Sequence, residues 1–150
     1  MLEKEFIEVY DKFKSNFYKN IFAGFSGREA TLTATETFCV EVIHVLSKPT
    51  VNKLASFLGI SQPNAAYKVA SLEKKGYVKK IQSKEDRRVY YLEVTNKFKK
   101  YYDIKNEYIY TVLGRVRERY TDEQVKKIEE LLRVVNTELM PEVTNYQEEK

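Results

Sequence analysis

The sequence predicts a mainly α-helical chain with one small β-hairpin, and three observations carry that expectation. Apolar residues recur at i, i+3 and i+4 over most of the 150 residues, two capping boxes punctuate them, and strand-like patterning takes over only once, after Gly76. A chain of this length has room for one compact domain and not for a second. With 43% apolar and 32% charged residues, and only five Gly and three Pro, it reads as ordered and helix-rich, neither disordered nor collagen-like.

Residues 2–22 set Phe6, Ile7, Val9, Tyr10, Phe13, Phe17, Tyr18 and Ile21 at helical spacing among Glu, Lys and Asp, which predicts a long amphipathic helix broken by Gly24 and Gly27. Thr33-Ala34-Thr35-Glu36 has the form in which a Thr hydroxyl and a Glu carboxylate satisfy each other's orphan amides, so a second helix starts there and runs to about Ser47. Pro49-Thr50 stops and restarts the chain; Val51, Leu54, Ala55 and Leu58 then form the inner stripe of a short third helix ended by Gly59. Ser61 caps a fourth helix, with Pro63 in the first turn where its missing amide does no harm, and Gly76 ends it. Tyr77–Ile81 and Val89–Val94 are rich in β-branched and aromatic residues and flank a polar loop, which predicts the hairpin. Helical spacing returns over 96–119, and Thr121-Asp122-Glu123-Gln124 opens a last helix that continues to Pro141.

Charge is unevenly spread. Residues 74–100 hold ten bases against three acids, a charge of +7, so the rest of the chain sums to −3 if the whole is to carry its +4. Such a block is the footprint expected where phosphates are neutralised, and it is equally the composition of a solvated surface.

The element order places a helix-turn-helix in the middle of the chain, followed by a wing. Ala55, Gly59 and Ala65 supply the small residues and the turn that two crossing helices need. On the fourth helix Ala65, Val69 and Leu72 share one side and should be buried, which turns Gln62, Asn64, Ala66, Tyr67, Ala70 and Lys74 outward. An outer face of this kind suits a major groove. Gln62 and Asn64 can pair with adenine edges, Ala66 can meet a thymine methyl, and Tyr67, Lys68 and Lys74 can reach bases or phosphates. The candidate DNA-binding residues are therefore Ser61, Gln62, Pro63, Asn64, Ala66, Tyr67, Lys68 and Lys74 on this helix, and Lys84, Asp86, Arg87 and Arg88 in the hairpin loop. The plain alternative is an ordinary solvated helix face.

This stretch resembles the MarR family of winged-helix regulators, and the resemblance covers nearly the whole chain. Its most specific part is Asp86-Arg87-Arg88, followed by an alternating strand that ends at Thr95. The resemblance implies that Arg88 inserts into a minor groove while Asp86 helps to hold the wing. An Arg side chain suits the narrow, negative minor groove of A·T-rich DNA. The chain departs from the family in reading Thr95-Asn96-Lys97-Phe98 where a Gly is usual, and in having Ala65 where Leu or Val is usual. The end of the fourth helix and the wing are also similar to the Gram-positive repressors of fatty-acid synthesis, in residues that serve DNA binding across the family.

By the same resemblance, residues 2–22 and 96–146 build an intertwined homodimer around a winged helix at about 32–95, all within a single 1–150 domain. Two recognition helices would then lie roughly 34 Å apart on a pseudo-palindromic operator of double-stranded DNA. Without it, the terminal helices could instead complete a monomeric bundle. The family commonly acts as a repressor released by a small-molecule effector. Tyr18, Phe22, Phe25, Phe38, Tyr101 and Tyr102 are candidates to line a cavity for a small apolar or aromatic effector, although aromatic stripes at helical spacing also serve as core.

Cys39 stands alone, so no disulfide forms within the chain; it lies away from the family's peroxide-sensing position and is expected to be a buried structural thiol. His44, the one histidine, lies near Cys39, Glu36 and Glu41, yet the zinc-sensing relatives supply several histidines, so no metal is expected. A single His and a single Cys complete no nucleophilic set, and no glycine loop cradles phosphate, so neither an enzyme nor a cofactor is expected. An unrecognised carboxylate site at Glu36 and Glu41 is the enzymatic alternative, against the usual reading of such acids as a solvated surface. A winged-helix module that binds an acidic protein and has no DNA specificity is the other. No signal-peptide core and no membrane span are present in the pattern, so the cytoplasm is the expected location.

Overall fold

The computed structural model describes the backbone of residues 1–24 and 32–147, and the side chains of 1–20 and 32–147. The elements follow the expected order: α1 (Leu2–Gly24), α2 (Ala34–Leu46), α3 (Val51–Leu58), α4 (Gln62–Lys74), β1 (Val78–Gln82), β2 (Tyr90–Val94), α5 (Asn96–Arg119), α6 (Asp122–Glu138) and α7 (Pro141–Thr144). The expected break at Gly24 is instead the last turn of α1, while Gly27 lies outside the described residues. The helix α7 was not foreseen. Pro141 ends one helix and, with its φ preset, serves the first turn of the next.

Local chemistry explains the boundaries. Thr33 Oγ1 accepts from the Glu36 amide at 3.2 Å and the Thr33 amide donates to Glu36 Oε2 at 3.2 Å, closing the box at the start of α2. Thr50 and Ser61 cap α3 and α4 by accepting from the amides of Lys53 and Asn64. Gly59 ends α3 at φ +67° and Gly76 follows α4 at φ +84°, both in the left-handed region that suits glycine. Ser47 and Lys48 occupy the same region at φ +55° and +57° with no glycine to signal it, as the chain turns toward Pro49. Thr121 and Gln124 form the second reciprocal cap, before α6.

The described residues divide into two compact units, one from Met1–Thr31 and Lys100–Glu129, the other from Leu32–Lys99 and Glu130–Lys150. The second holds the helix-turn-helix and the hairpin. Its core takes Val40, Ile43 and Leu46 from α2, Leu54 and Ala55 from α3, Ala65, Val69 and Leu72 from α4, Val78 and Leu92 from the strands, and Phe98 from the start of α5. Each fully buried Leu, Ile or Phe contributes about 1.5–3 kcal/mol relative to leaving it in water. Cys39 and Tyr77 are buried with them, and the His44 ring packs 5.2 Å from Phe98. The strands pair antiparallel, Val78 opposite Val94 and Lys80 opposite Leu92, and the Leu92 amide donates outside the hairpin to the Pro49 carbonyl at 2.8 Å. In the same unit Tyr146, just past α7, sets its ring on Phe57 at 5.2 Å, and Gln147 Nε2 donates to the Val45 carbonyl at 2.8 Å.

In the first unit, α1 meets α5 through aromatic rings: Phe13 on Tyr108 at 5.7 Å and Phe17 on Tyr101 at 6.1 Å. The Lys105 ammonium lies over the rings of Phe17 and Tyr102 at 5.0 and 5.5 Å. No helix among the described residues is long and apolar enough to cross a membrane.

Candidate nucleic-acid interface

The inward stripe of α4, Ala65, Val69 and Leu72, is fully buried, and that fixes which side of the helix faces out. Gln62, Asn64, Ala70 and Lys74 are exposed, and Tyr67 is the most exposed aromatic side chain in the unit at 78%. Ala66 and Lys68 are half-buried at the edge of that face. Ser61 and Pro63 are exposed in the first turn, where the Ser61 oxygen is engaged as the helix cap. A tyrosine left this far in water on a helix otherwise well seated on its core offers a flat apolar ring and a hydroxyl to something outside the chain.

The loop between the strands is organised by its own polar groups. Ser83 Oγ accepts from the amides of Glu85 and Asp86 at 3.2 and 3.3 Å, the Ser83 amide donates to the Val89 carbonyl at 2.8 Å, and the Val89 amide donates to the Asp86 carbonyl at 3.0 Å. Gln82 Nε2 donates to the Arg87 carbonyl at 2.7 Å. Within that frame Asp86 accepts from Arg88 at three points, and the Arg88 side chain stays 89% exposed.

The basic block sorts into engaged and available charge, a distinction that composition cannot make. Lys75 is paired with Glu36 at 2.7 Å, Lys79 with Glu93 at 3.4 Å and Lys80 with Glu73 at 3.7 Å. Lys97 donates to the Lys75 carbonyl at 3.0 Å and lies over the Tyr77 ring. Lys74 at the end of α4, and Lys84 and Arg87 in the wing loop, make no ion pair among the described residues and are exposed. These three can meet an anion. Lys99 and Lys100 at the start of α5 are likewise exposed, and Arg88, though paired with Asp86, keeps its side chain 89% exposed, so these too can meet an anion.

Glu36 was expected among solvated acids, and the structure corrects this: it is 9% exposed. Besides capping α2 it accepts from Ser71 Oγ at 2.8 Å and Lys75 Nζ at 2.7 Å, both on α4. Burial pushes its carboxyl up, but the hydrogen bonds from Lys75, Ser71 and the Thr33 amide, with the Lys75 charge, outweigh it and hold the pKa below the ordinary value. Cys39 is pushed up to about 11 by burial, which Lys68 opposes and Glu36 reinforces. Its thiol is a core group.

Residues 32–90 match the family model described as the MarR family. Over that segment, 59 of its 150 residues, the chain is MarR-like. Its fold is similar to that of solved regulators at low identity: a transcriptional regulator from Thermotoga maritima (20% identical, TM-score 0.63, covering 93% of each chain), a MarR family protein from Bacillus stearothermophilus (19%, 0.62, 93% of each), and FabT from Streptococcus pneumoniae in complex with DNA (16%, 0.56, 93% of this chain and 97% of that one). No curated protein matches the sequence.

Within this MarR-type winged helix, all twelve residues expected at a DNA surface fall in one unit, on α4, its cap or the wing loop. Where the chain reads Thr95-Asn96-Lys97, the segment is tied back to the end of α4. Thr95 Oγ1 donates to the Gly76 carbonyl at 2.6 Å, α5 begins at Asn96, and Lys97 reaches back to α4. The residues that sequence reading missed are Ser71 and Lys75 as partners of Glu36, 35 and 39 positions away. No local pattern connects residues at that separation.

Of the six residues expected to line an effector pocket, four have described side chains. Tyr18, Tyr101 and Tyr102 belong to the first unit, with Tyr18 43% exposed, while Phe38 belongs to the second and is 57% exposed. The Phe22 side chain and all of Phe25 lie outside the described residues. An open groove of about 580 Å³ runs along α1 and is lined by Glu8, Asp11, Lys12, Ser15, Asn16, Lys19 and Tyr108, polar side chains for the most part and none of the six expected.

Proposed function

We propose that this protein is a transcriptional regulator of the MarR type that binds a pseudo-palindromic operator in double-stranded DNA as a homodimer. It acts in the cytoplasm as a repressor, is released by a small apolar or aromatic molecule, and is not an enzyme. The observation that carries the reading is the pairing, in one unit, of an exposed α4 face bearing Gln62, Asn64 and Tyr67 with a wing loop that presents Arg88 on Asp86. Such a face offers hydrogen-bonding amides and a ring to a major groove, and such a loop offers a guanidinium to a minor groove. Lys74, Lys84 and Arg87 add phosphate contacts. Similarity to FabT, solved with DNA bound, supports the same assignment.

Dimerisation rests on apolar surface left uncovered in the single chain. Phe6, Ile7 and Tyr10 of α1 are 62%, 55% and 53% exposed, and Leu131 and Leu132 of α6 are 62% and 48% exposed. Faces of that kind on helices outside the winged helix are what a second copy would cover. In this layout residues 32–95 read DNA, and residues 2–22 and 96–146 hold the dimer.

The test is selection of duplexes from a random pool, followed by binding of the preferred duplex and a scrambled competitor across a range of salt concentrations. A dimer that prefers a two-fold-related sequence, with affinity falling steeply in salt, supports the reading. Flat, weak binding to every duplex overturns it in favour of a protein-interaction module.

A further inference from the structure

We infer that Glu36 is a positioning residue for duplex recognition, holding α4 at the pitch from which Gln62, Asn64 and Tyr67 meet bases, by a carboxylate shared between the cap of α2 and the far end of α4. The inference rests on the DNA-binding reading above and adds to it a residue that would touch no DNA.

The geometry supplies the argument. Ser71 and Lys75 are one turn apart on α4 and therefore on one face; both donate to the same carboxylate, one to each oxygen, at 2.8 and 2.7 Å. The Thr33 amide donates to Oε2 as well, so Glu36 cannot rotate toward α4 without loosening the start of α2. Further fastenings lie at the same end of α4: Lys97 Nζ on the Lys75 carbonyl and Thr95 Oγ1 on the Gly76 carbonyl. At the other end Gln62, Asn64 and Tyr67 are exposed, while the Ser61 cap and the buried Ala65 are what hold the first turn. Gln62 is nine residues before Ser71, about 13 Å along the axis, so a tilt of about 5° at the clamp moves the Gln62 end by about 1 Å. That displacement exceeds the tolerance of a base-edge hydrogen bond, whose useful range is about half an ångström.

A carboxylate held by an ammonium also distinguishes this clamp from mere packing. Lys75 is only 23% exposed in its side chain and is turned into the protein, which removes it from the cations that face a duplex although it lies in the basic block. Loss of Glu36 would both loosen α4 and release Lys75 to any phosphate.

The experiment uses the full chain and the duplex selected above, with Glu36→Gln, Lys75→Met and the pair together, each measured at a temperature where circular dichroism shows it folded. Discrimination between the preferred and scrambled duplexes should fall roughly three- to tenfold in either single variant, the worth of about one hydrogen bond, and no further in the double variant because the two residues act as one unit. Ser71→Ala, which removes one hydrogen bond from a half-buried site, takes the place of Glu36→Gln if that variant does not fold. A lower melting temperature with unchanged discrimination reduces Glu36 to a stabilising contact and overturns the inference. So does a shallower salt dependence in Lys75→Met alone, which would make Lys75 a direct phosphate contact. If the wild-type chain prefers no duplex, the DNA-binding reading falls first and the inference falls with it, an outcome the wild-type control identifies before any variant is compared.

Discussion

Asp86 and Arg88 meet at the tip of the wing in a two-point ion pair, Nε to Oδ1 at 3.1 Å and Nη2 to Oδ2 at 3.0 Å, with the Arg88 amide donating to Oδ1 at 3.0 Å as well. The side-chain and backbone bonds from Arg88 hold the Asp86 carboxyl below its ordinary pKa against a small opposing effect of burial, and the same pairing raises Arg88. An arginine in this state is aimed by its neighbour while remaining in solvent. An exposed pair of this kind adds little to stability, and what it fixes is the direction of the guanidinium.

The two partners should therefore fail differently. Arg88→Ala should weaken binding to the selected duplex and reduce the salt slope by about one phosphate equivalent or less. Asp86→Ala should leave the cation in place but unaimed, so that scrambled duplex binds as well as before or better while discrimination falls. Fluorescence anisotropy over a salt series separates the two patterns, and identical behaviour of both variants would remove the aiming role.

Glu36 gives a pH dependence whose sign follows from its lowered pKa. A carboxyl with a depressed folded-state pKa adds stability above its unfolded-state value and loses it as pH falls through the folded-state value. The wild type should therefore exceed Glu36→Gln by about 1–3 kcal/mol at pH 7, and that difference should shrink as the pH is taken below 4.5, the ordinary glutamate value. Urea midpoints of the two proteins at matched pH values provide the difference directly. A constant gap down to pH 3 would contradict the clamp.

Much of this frame is legible in the sequence because it is local. The boxes at Thr33/Glu36 and Thr121/Gln124, the glycines at 59 and 76, and Pro63 each act within a few residues, and each sits where spacing placed it. The buried side of α4 follows from a period alone. The clamp does not, because Glu36 had already been assigned a complete local role as a cap, and nothing marks a carboxylate as having an oxygen to spare for Ser71 and Lys75. The basic block misleads for the same reason. Glu73 and Glu93 neutralise Lys80 and Lys79 across the hairpin region, and only the fold reveals that Lys74, Lys84 and Arg87 are among the bases left over.

Cys39 is 2% exposed with its pKa pushed up to about 11, so almost no thiolate exists at neutral pH and no reagent reaches it without an opening of the core. Reaction with a thiol-directed disulfide at pH 7.5 should proceed no faster than unfolding, and treatment with peroxide should leave DNA binding intact. Stoichiometric labelling of the folded protein within minutes would show a reactive sensor instead.

Two glycines offer a matched pair in which the same substitution should act in opposite directions. Gly59 sits at φ +67° with open space around a prospective Cβ, so the cost of Gly59→Ala is conformational and not steric, about 1 kcal/mol. Gly114 lies inside α5 with nothing within 4 Å of its prospective Cβ and no positive φ, so Gly114→Ala should stabilise the helix by about 0.5–1 kcal/mol through propensity alone. The space at Gly114 is open in one chain, however, and α5 belongs to the region assigned to the dimer. Thermal melts at two protein concentrations tell the cases apart. A gain in stability independent of concentration places Gly114 away from the partner, whereas a loss that deepens on dilution means that a second copy packs against this turn of α5, since weakened association lowers apparent stability by mass action.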